Sequence, residues 1–338
     1  MKYQNILIIN DGIDAHVLMS TPLIRVLKSK FPEADLRFCL SEKYGYLLEE
    51  NPYLEQVVAI EEFGKKSEEH SYSSTCDLVV DLHPTSRTKK ILKRFSCLKL
   101  IHQHRRLDYW LLVNFKINLL SKVHLVDRYV SLVHPLEISM DNLGLDFFIP
   151  DKDEVELNWL PETHQKEFVV VAISGSHPTR QLPVERLIEA CDKINKPIVL
   201  VGTQEDETEA QQVVDFFKKI ELNAPYEKGL KELNKKTVIF NGCGRFNAHQ
   251  IGSLIKKSRA LVTYDNIWMH VGAALGKDMF CIWGNTMPEF GMYPYRTRFT
   301  VLENTAITCR PCTVNGVSSC PVKHFRCMKD LALDIYLP

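Results

Sequence analysis

Short apolar runs alternate with amphipathic helical patterns along the chain, and this alternation is the feature that most narrows the choice of fold. NILIIN at Asn5–Asn10 reads as a buried strand. Leu23, Val26, Leu27 and Phe31 form one helical stripe, stopped by Pro32, and Asp35–Leu40 reads as the second strand. A helix near Lys43–Glu50 and a strand at Gln56–Ile60 complete a βαβαβ unit, and Cys76–Leu82 adds a further strand. A second alternation places strands at Phe168–Ile173, Pro197–Val201, Lys236–Phe240, Ala260–Thr263 and Met279–Trp283. Its helical patterns run over Pro183–Ile194, Glu205–Lys219, Asn247–Lys257 and Trp268–Leu275. Between the two alternations, Pro150–Lys166 is polar, charged and without sustained periodicity.

The expected class is therefore α/β, with two Rossmann-like domains facing across a cleft at the carboxyl ends of their strands, where ligands of open α/β sheets bind. The expected boundaries are 1–150, a linker at 151–166, a second domain at 167–308, and a Cys-rich segment with a C-terminal helix at 309–338. The length, 338 residues, suits two domains, and 45% apolar with 25% charged residues excludes disordered and collagen-like chains.

Forty-two Lys and Arg balance forty-two Asp and Glu, so any attraction to a polyanion must be local. One such place exists. Between Arg87 and Lys122 stand ten Lys or Arg and one acid, Asp108, interleaved with Phe95, Tyr109, Trp110 and Leu111–Val113. This is either a solvated helix face or a surface for a phosphorylated glycolipid acceptor at a membrane. No nucleic-acid module is visible, and nucleic acid is not an expected partner.

The N-terminal apolar run is too short for a signal peptide or a span, so a cytoplasmic location is expected, with peripheral contact to the inner membrane. In a reducing compartment the ten cysteines read as thiols or metal ligands. Cys39, Cys76, Cys97, Cys191, Cys243 and Cys281 are scattered and read as core residues. Cys309, Cys312, Cys320 and Cys327 have the spacing C-x2-C-x7-C-x6-C, with turns at Pro311 and Pro321. That spacing suits one tetrahedral structural ion, zinc by default, against two disulfides or four free thiols; His324 is expected outside the ligand set.

The strongest local pattern is the run from Ala260 to Gly276, a strand ending on Asp265 followed by a helix start. The free N–H groups of such a start can hold a diphosphate, while Asp265 reads equally as a simple helix cap. His270, one turn in, contacts a phosphate or packs.

Here the chain resembles the bacterial lipopolysaccharide heptosyltransferases, glycosyltransferase family nine, nearly end to end. The carrying segments are Asp265–His270, Ala273-Ala274-Leu275-Gly276 and Gly284-Asn285-Thr286 in the second half, with Ser174–Pro183 opening it. In the first half they are Ala15-His16-Val17, Thr21-Pro22-Leu23, Phe31–Ala34, Asn51-Pro52-Tyr53, Asp81-Leu82-His83 and Val126–Tyr129.

The resemblance implies a GT-B enzyme that moves a heptose from ADP-heptose to a cell-envelope glycan without a catalytic metal. It implies that Ser176 and Arg180 contact the donor diphosphate, Glu205 the ribose and Phe246 the adenine. Asp265, Asn266, Met269 and His270, with Thr286, would hold phosphate and sugar. Iron is implied as the alternative to zinc on the four C-terminal cysteines.

Two departures stand out. Ala15-His16 replaces a Gly-Asp pair, so His16, or Asp14 beside it, takes the place of the catalytic base. Asn266-Ile267 replaces Thr-Gly. The competing reading is a non-catalytic nucleotide-sugar-binding or scaffold protein that has lost its base; an epimerase of the same architecture fits the residue matches less well.

Overall fold

The computed structural model describes residues 3–63, 74–223 and 236–337. The chain divides into two compact units: Met1–Arg106 with Leu120–Phe148, and Leu107–Leu119 with Ile149–Pro338.

The first unit is built on a five-stranded parallel sheet of order β3-β2-β1-β4-β5: β1 (Asn5–Asn10), β2 (Asp35–Leu40), β3 (Gln56–Ala59), β4 (Leu78–His83) and β5 (Leu98–Ile101). Ile6 to Ile9 are wholly buried, as a central strand covered on both faces must be. Helices α1 (Asp14–Leu18), α2 (Thr21–Lys30), α3 (Ser86–Leu92), α4 (Arg106–Phe115) and α5 (Leu125–Ser131) follow in the chain, and α4 belongs mostly to the second unit. The helix expected near Lys43–Glu50 is a 3-10 helix over Glu42–Leu47, because Gly45 between two tyrosines is a poor continuation of an α-helix.

The second unit carries a six-stranded parallel sheet of order β11-β10-β9-β6-β7-β8: β6 (Val169–Ala172), β7 (Ile198–Val201), β8 (Ile239–Asn241), β9 (Leu261–Tyr264), β10 (Met279–Trp283) and β11 (Phe299–Glu303). Its helices are α6 (Val184–Ile194), α7 (Glu207–Asn223), α8 (Ala248–Lys257), α9 (Ile267–Ala274) and the single turn α10 (Arg326–Lys329). Leu331, Leu333 and Ile335, beyond α10, are buried with Leu187, Ile198 and Val213 in one core.

Strand order reverses between β1 and β4 in the first sheet and between β6 and β9 in the second. Loops leaving adjacent strands in opposite directions open a crevice at those places. The segment expected as a linker makes three 3-10 turns and is fastened to α8: Val155 N–H donates to Ser253 Oγ at 2.9 Å, and Glu154 accepts from Lys256 Nζ at 2.7 Å.

In the first unit Arg25 of α2 is buried and binds Asp141, Asp146 and the Gly144 carbonyl. These contacts hold the Asp141–Asp146 segment to α2, and Thr21 Oγ1 accepts from Asp146 N–H at 2.9 Å at the start of the same helix. Removing the guanidinium leaves two carboxylates facing each other. Arg25→Ala is expected to destabilise the protein by about 1–3 kcal/mol, the loss of charge-assisted hydrogen bonds to two carboxylates that stay partly solvated, read as a shift in the urea midpoint.

Candidate functional site

The carboxyl ends of β6, β9 and β10 bring the second unit's expected site residues together. Arg180 closes a 3-10 turn, Pro178–Arg180, after β6, and is buried rather than an exposed helix-start residue. Its guanidinium donates to the Asp265 carbonyl at 2.9 Å and the Val314 carbonyl at 3.2 Å, lies 3.4 Å from Ser176 Oγ, and stands 3.3 Å from the Asp265 carboxylate. Asp265 also accepts from the Thr286 hydroxyl at 2.6 Å.

Asp265 is not the helix cap. That role falls to Asn266, whose Oδ1 accepts from Trp268 N–H at 2.9 Å and Met269 N–H at 3.4 Å. Its Nδ2 donates to the Ser174 carbonyl at 2.7 Å, so one side chain both starts α9 and spans the reversal between β9 and β6. With the cap supplied by its neighbour, the Asp265 carboxylate is left to Arg180 and Thr286.

Met269 and His270 lie on α9 and are buried. Ser176 and Glu205 are exposed, and Phe246 is half-buried with its ring against the backbone of Gly242 after β8. Glu205 sits in the 3-10 turn after β7. In strand order, Phe246, Glu205, Ser176 with Arg180, Asp265 with Asn266, and Thr286 follow β8, β7, β6, β9 and β10 along one edge of the sheet. Asp206 organises that edge, accepting from Ser174 Oγ at 2.6 Å and from Thr203 N–H and Oγ1 at 2.8 Å.

Sequence reasoning quoted Asn285 within a motif but gave it no role. Its side chain is buried, and neither amide nitrogen nor oxygen has a hydrogen-bond partner among the described residues; the same holds for Arg180 Nε. An orphaned buried polar group costs about 1–3 kcal/mol, so three such atoms at one strand-end cluster point to a polar ligand. The neighbouring Gly284 is required: a Cβ there would meet Met328 Cε at 2.5 Å and the Thr179 carbonyl at 3.0 Å.

The Cys-rich segment fastens this edge. Arg310 binds the carbonyls of Gly284, Asn304 and Thr286 and the Glu303 carboxylate, Cys312 N–H donates to the Asn285 carbonyl at 2.9 Å, and Thr179 Oγ1 donates to the Val317 carbonyl at 2.7 Å. Among the described residues no group of three or more His, Cys, Asp or Glu side chains is placed to hold a metal ion. The four-thiolate site expected at Cys309, Cys312, Cys320 and Cys327 is therefore unsupported. Cys327 is drawn into the core, and burial, with the neighbouring cysteines adding to it, pushes the thiols of Cys312 and Cys327 up to about 11. Cys312 Sγ donates instead to the Cys309 carbonyl at 3.3 Å, and Cys309 Sγ lies 3.8 Å from His324 Nε2.

In the first unit His16 lies in α1 and its ring sits 4.9 Å from that of His83, at the end of β4. Gly12 permits this: a Cβ there would meet His16 Nδ1 at 2.5 Å. His83 is 4.3 Å from His104, which is 5.3 Å from His102. Asp11, at the end of β1, accepts from the Thr85 hydroxyl at 2.7 Å and favours the charged form of His83 against burial. The Asp14 carboxylate accepts from Ala15 N–H at 2.7 Å and its field reaches Lys43 and Tyr46. The ring pair of His16 with His83, and the carboxylate of Asp11, were missed because the residues come from two strand ends far apart in the chain, those of β1 and β4; Asp81-Leu82-His83 was the nearest signal.

With this geometry in view, comparison with known proteins gives a direct answer. The model of glycosyltransferase family 9 (heptosyltransferase) matches residues 91–322. The chain belongs to that family. No curated protein sequence matches it. Among solved structures, it is similar to a family 9 glycosyl transferase from Veillonella parvula, at TM-score 0.70 and 21% identity over 90% of this chain and 88% of that one. It is also similar to E. coli ADP-heptose lps heptosyltransferase II, at TM-score 0.65 and 15% identity over 92% and 93% of the two chains. E. coli heptosyltransferase WaaC with ADP matches at TM-score 0.60 and 15% identity, over 88% and 91%. The fold is thus GT-B with two parallel sheets, and the family member is a glycosyltransferase.

Burial holds His102 and His104 down to about 4 and raises Asp81 to about 6. Below 6.5 the unfolded chain takes up protons that the two folded histidines refuse, so their contribution is complete above about 6.5 and is lost as pH falls toward 4. Asp81 acts oppositely between 3.8 and about 6, where the folded state holds the extra proton. Two histidines outweigh one aspartate, so the urea midpoint is expected to fall as pH drops from 6.5 to 4, and His104→Gln should flatten the slope.

Proposed function

We propose that the protein transfers a heptose or related sugar from a nucleotide-diphosphate donor, ADP-heptose, to a hydroxyl of a cell-envelope glycan such as the lipopolysaccharide core. The observation that carries the donor half is the cluster of Arg180, Asp265 and Thr286 with the unpartnered Asn285 amide and Arg180 Nε at the β6/β9 reversal. The ADP in the similar WaaC structure supports adenosine diphosphate as the nucleotide. Glu205 would take the ribose and Phe246 the adenine, Met269 and His270 would back the phosphate and sugar from α9, and Ser176 would meet the diphosphate beside Arg180.

As the glycosidic bond breaks, negative charge collects on the departing diphosphate. A fixed guanidinium and the positive end of the α9 dipole stabilise that charge without reorganising. The contacts with Asp265 fix the Arg180 guanidinium, which supports this role. His16 would remove the proton from the attacking hydroxyl, with its ring steadied by His83; an imidazole serves this role at neutral pH. Asp14 is the alternative base.

A donor that binds should raise the melting temperature by mass action, so a thermal-shift panel of nucleotide-diphosphate sugars is the first experiment, with ADP-heptose expected to give the largest shift. Arg180→Ala should slow transfer by roughly 10²–10³, the cost of a lost charge-stabilising donor, while Arg180→Lys keeps the buried charge and serves as the folding control. Unchanged turnover in Arg180→Ala removes it from the mechanism.

His16→Ala should slow transfer by roughly 10²–10⁴ while leaving the donor-induced thermal shift in place. If Asp14→Asn abolishes transfer and His16→Ala does not, the base is Asp14. If the parent protein shifts with a donor yet transfers to no glycan, the binding-only reading replaces this one.

A further inference from the structure

We propose that the outward face of α4 and the residues that follow it dock on an anionic lipid bilayer. The inner side of α4 is fixed to the second unit: Leu112 is buried, and Tyr109 packs on Phe290 at 5.6 Å and donates to its carbonyl at 3.3 Å. The opposite side carries Leu107, Trp110 and Phe115, with exposures of 64%, 52% and 59%. Ile117 and Leu119 continue it at 49% and 52%. Trp110 and Phe115 touch edge to face at 5.3 Å, so they form one patch rather than isolated side chains.

A helix on a water-facing surface presents its polar residues outward, and here the larger apolar side chains are the outward ones. The charge decides what covers them. Arg105 and Arg106 directly precede Leu107 and Lys122 follows Leu119 in the chain, while the ammonium of Lys116 is turned to the carbonyls of Val113, Cys309 and Pro311. Asp108 is the single acid between Arg87 and Lys122, and it is buried, so every exposed charge of that stretch is positive. Apolar side chains flanked by cations alone complement a surface that is oily beneath an anionic layer, and an indole settles well at such a boundary. Among the described residues no helix is long and apolar enough to cross a membrane, so the contact is a helix lying on the surface, about 15 Å of it at 1.5 Å per residue.

Vesicle flotation tests this with the full chain, using phosphatidylcholine vesicles with and without phosphatidylglycerol. Binding is expected only to the anionic vesicles, weakening as salt rises. The double variant Trp110→Ala, Phe115→Ala should lose on the order of tenfold or more of the bound fraction at an unchanged melting temperature, since both side chains are exposed. Should that variant misfold, a blue shift of Trp110 fluorescence in the parent protein on anionic vesicles, absent from Trp110→Phe, supports the same contact. The proposal fails if the parent ignores anionic vesicles or if the folded double variant binds equally well. It also fails if ultracentrifugation shows a dimer that the double variant abolishes, which would assign the face to a second copy.

Discussion

The buried pair of Arg180 with Asp265 is the interaction on which the donor edge of the second unit depends. Three chain segments meet at it: the turn after β6, the junction of β9 with α9, and the C-terminal segment through the Val314 carbonyl. Thr286 brings in β10 by its hydroxyl to the same carboxylate. Burying two charges is costly, and a well-packed apolar pair would often be as stable, so the pair is poorly explained by stability alone. Its use is that a guanidinium already desolvated and oriented meets a developing charge with little further cost.

Most of the fold was legible because the central strands are covered on both faces and so are apolar without interruption. Ile6–Ile9 and Met279–Trp283 carry that pattern throughout, and β2 carries it from Phe38 to Leu40. The edge strands β5 and β11 were illegible for the converse reason: Leu98, Ile101 and Val301 are exposed, so no apolar run marks them. The site was legible as motifs but not as contacts. A string such as Asp265-Asn266 does not say which side chain turns back to cap the helix, and one residue decides whether the carboxylate is spent locally or serves Arg180.

The C-terminal segment was legible only in part, for a related reason. Cysteine spacing advertises a metal, whereas the bonds that hold the segment are made by Arg310 to three backbone carbonyls, which leave no trace in residue type. The His16–His83 pair was likewise hidden: neighbours in space stand 67 residues apart in the chain, one in α1 and one at the end of β4, joined by the parallel register of β1 with β4.

The boundary between the two units has a consequence for how this chain can be divided. Residues 107–119 leave the first unit, join the second, and the chain then returns for residues 120–148. The backbone therefore passes between the units three times, and no single cut releases both intact. A fragment ending at Phe148 would carry α4 without Phe290 beneath Tyr109, and one beginning at Ile149 would leave the carbonyls of Cys309 and Pro311 without the ammonium of Lys116, which lies 3.1 and 2.6 Å from them. Each unit is thus built from discontinuous chain, and neither can be inherited, shuffled or expressed as one contiguous piece without leaving part of itself behind.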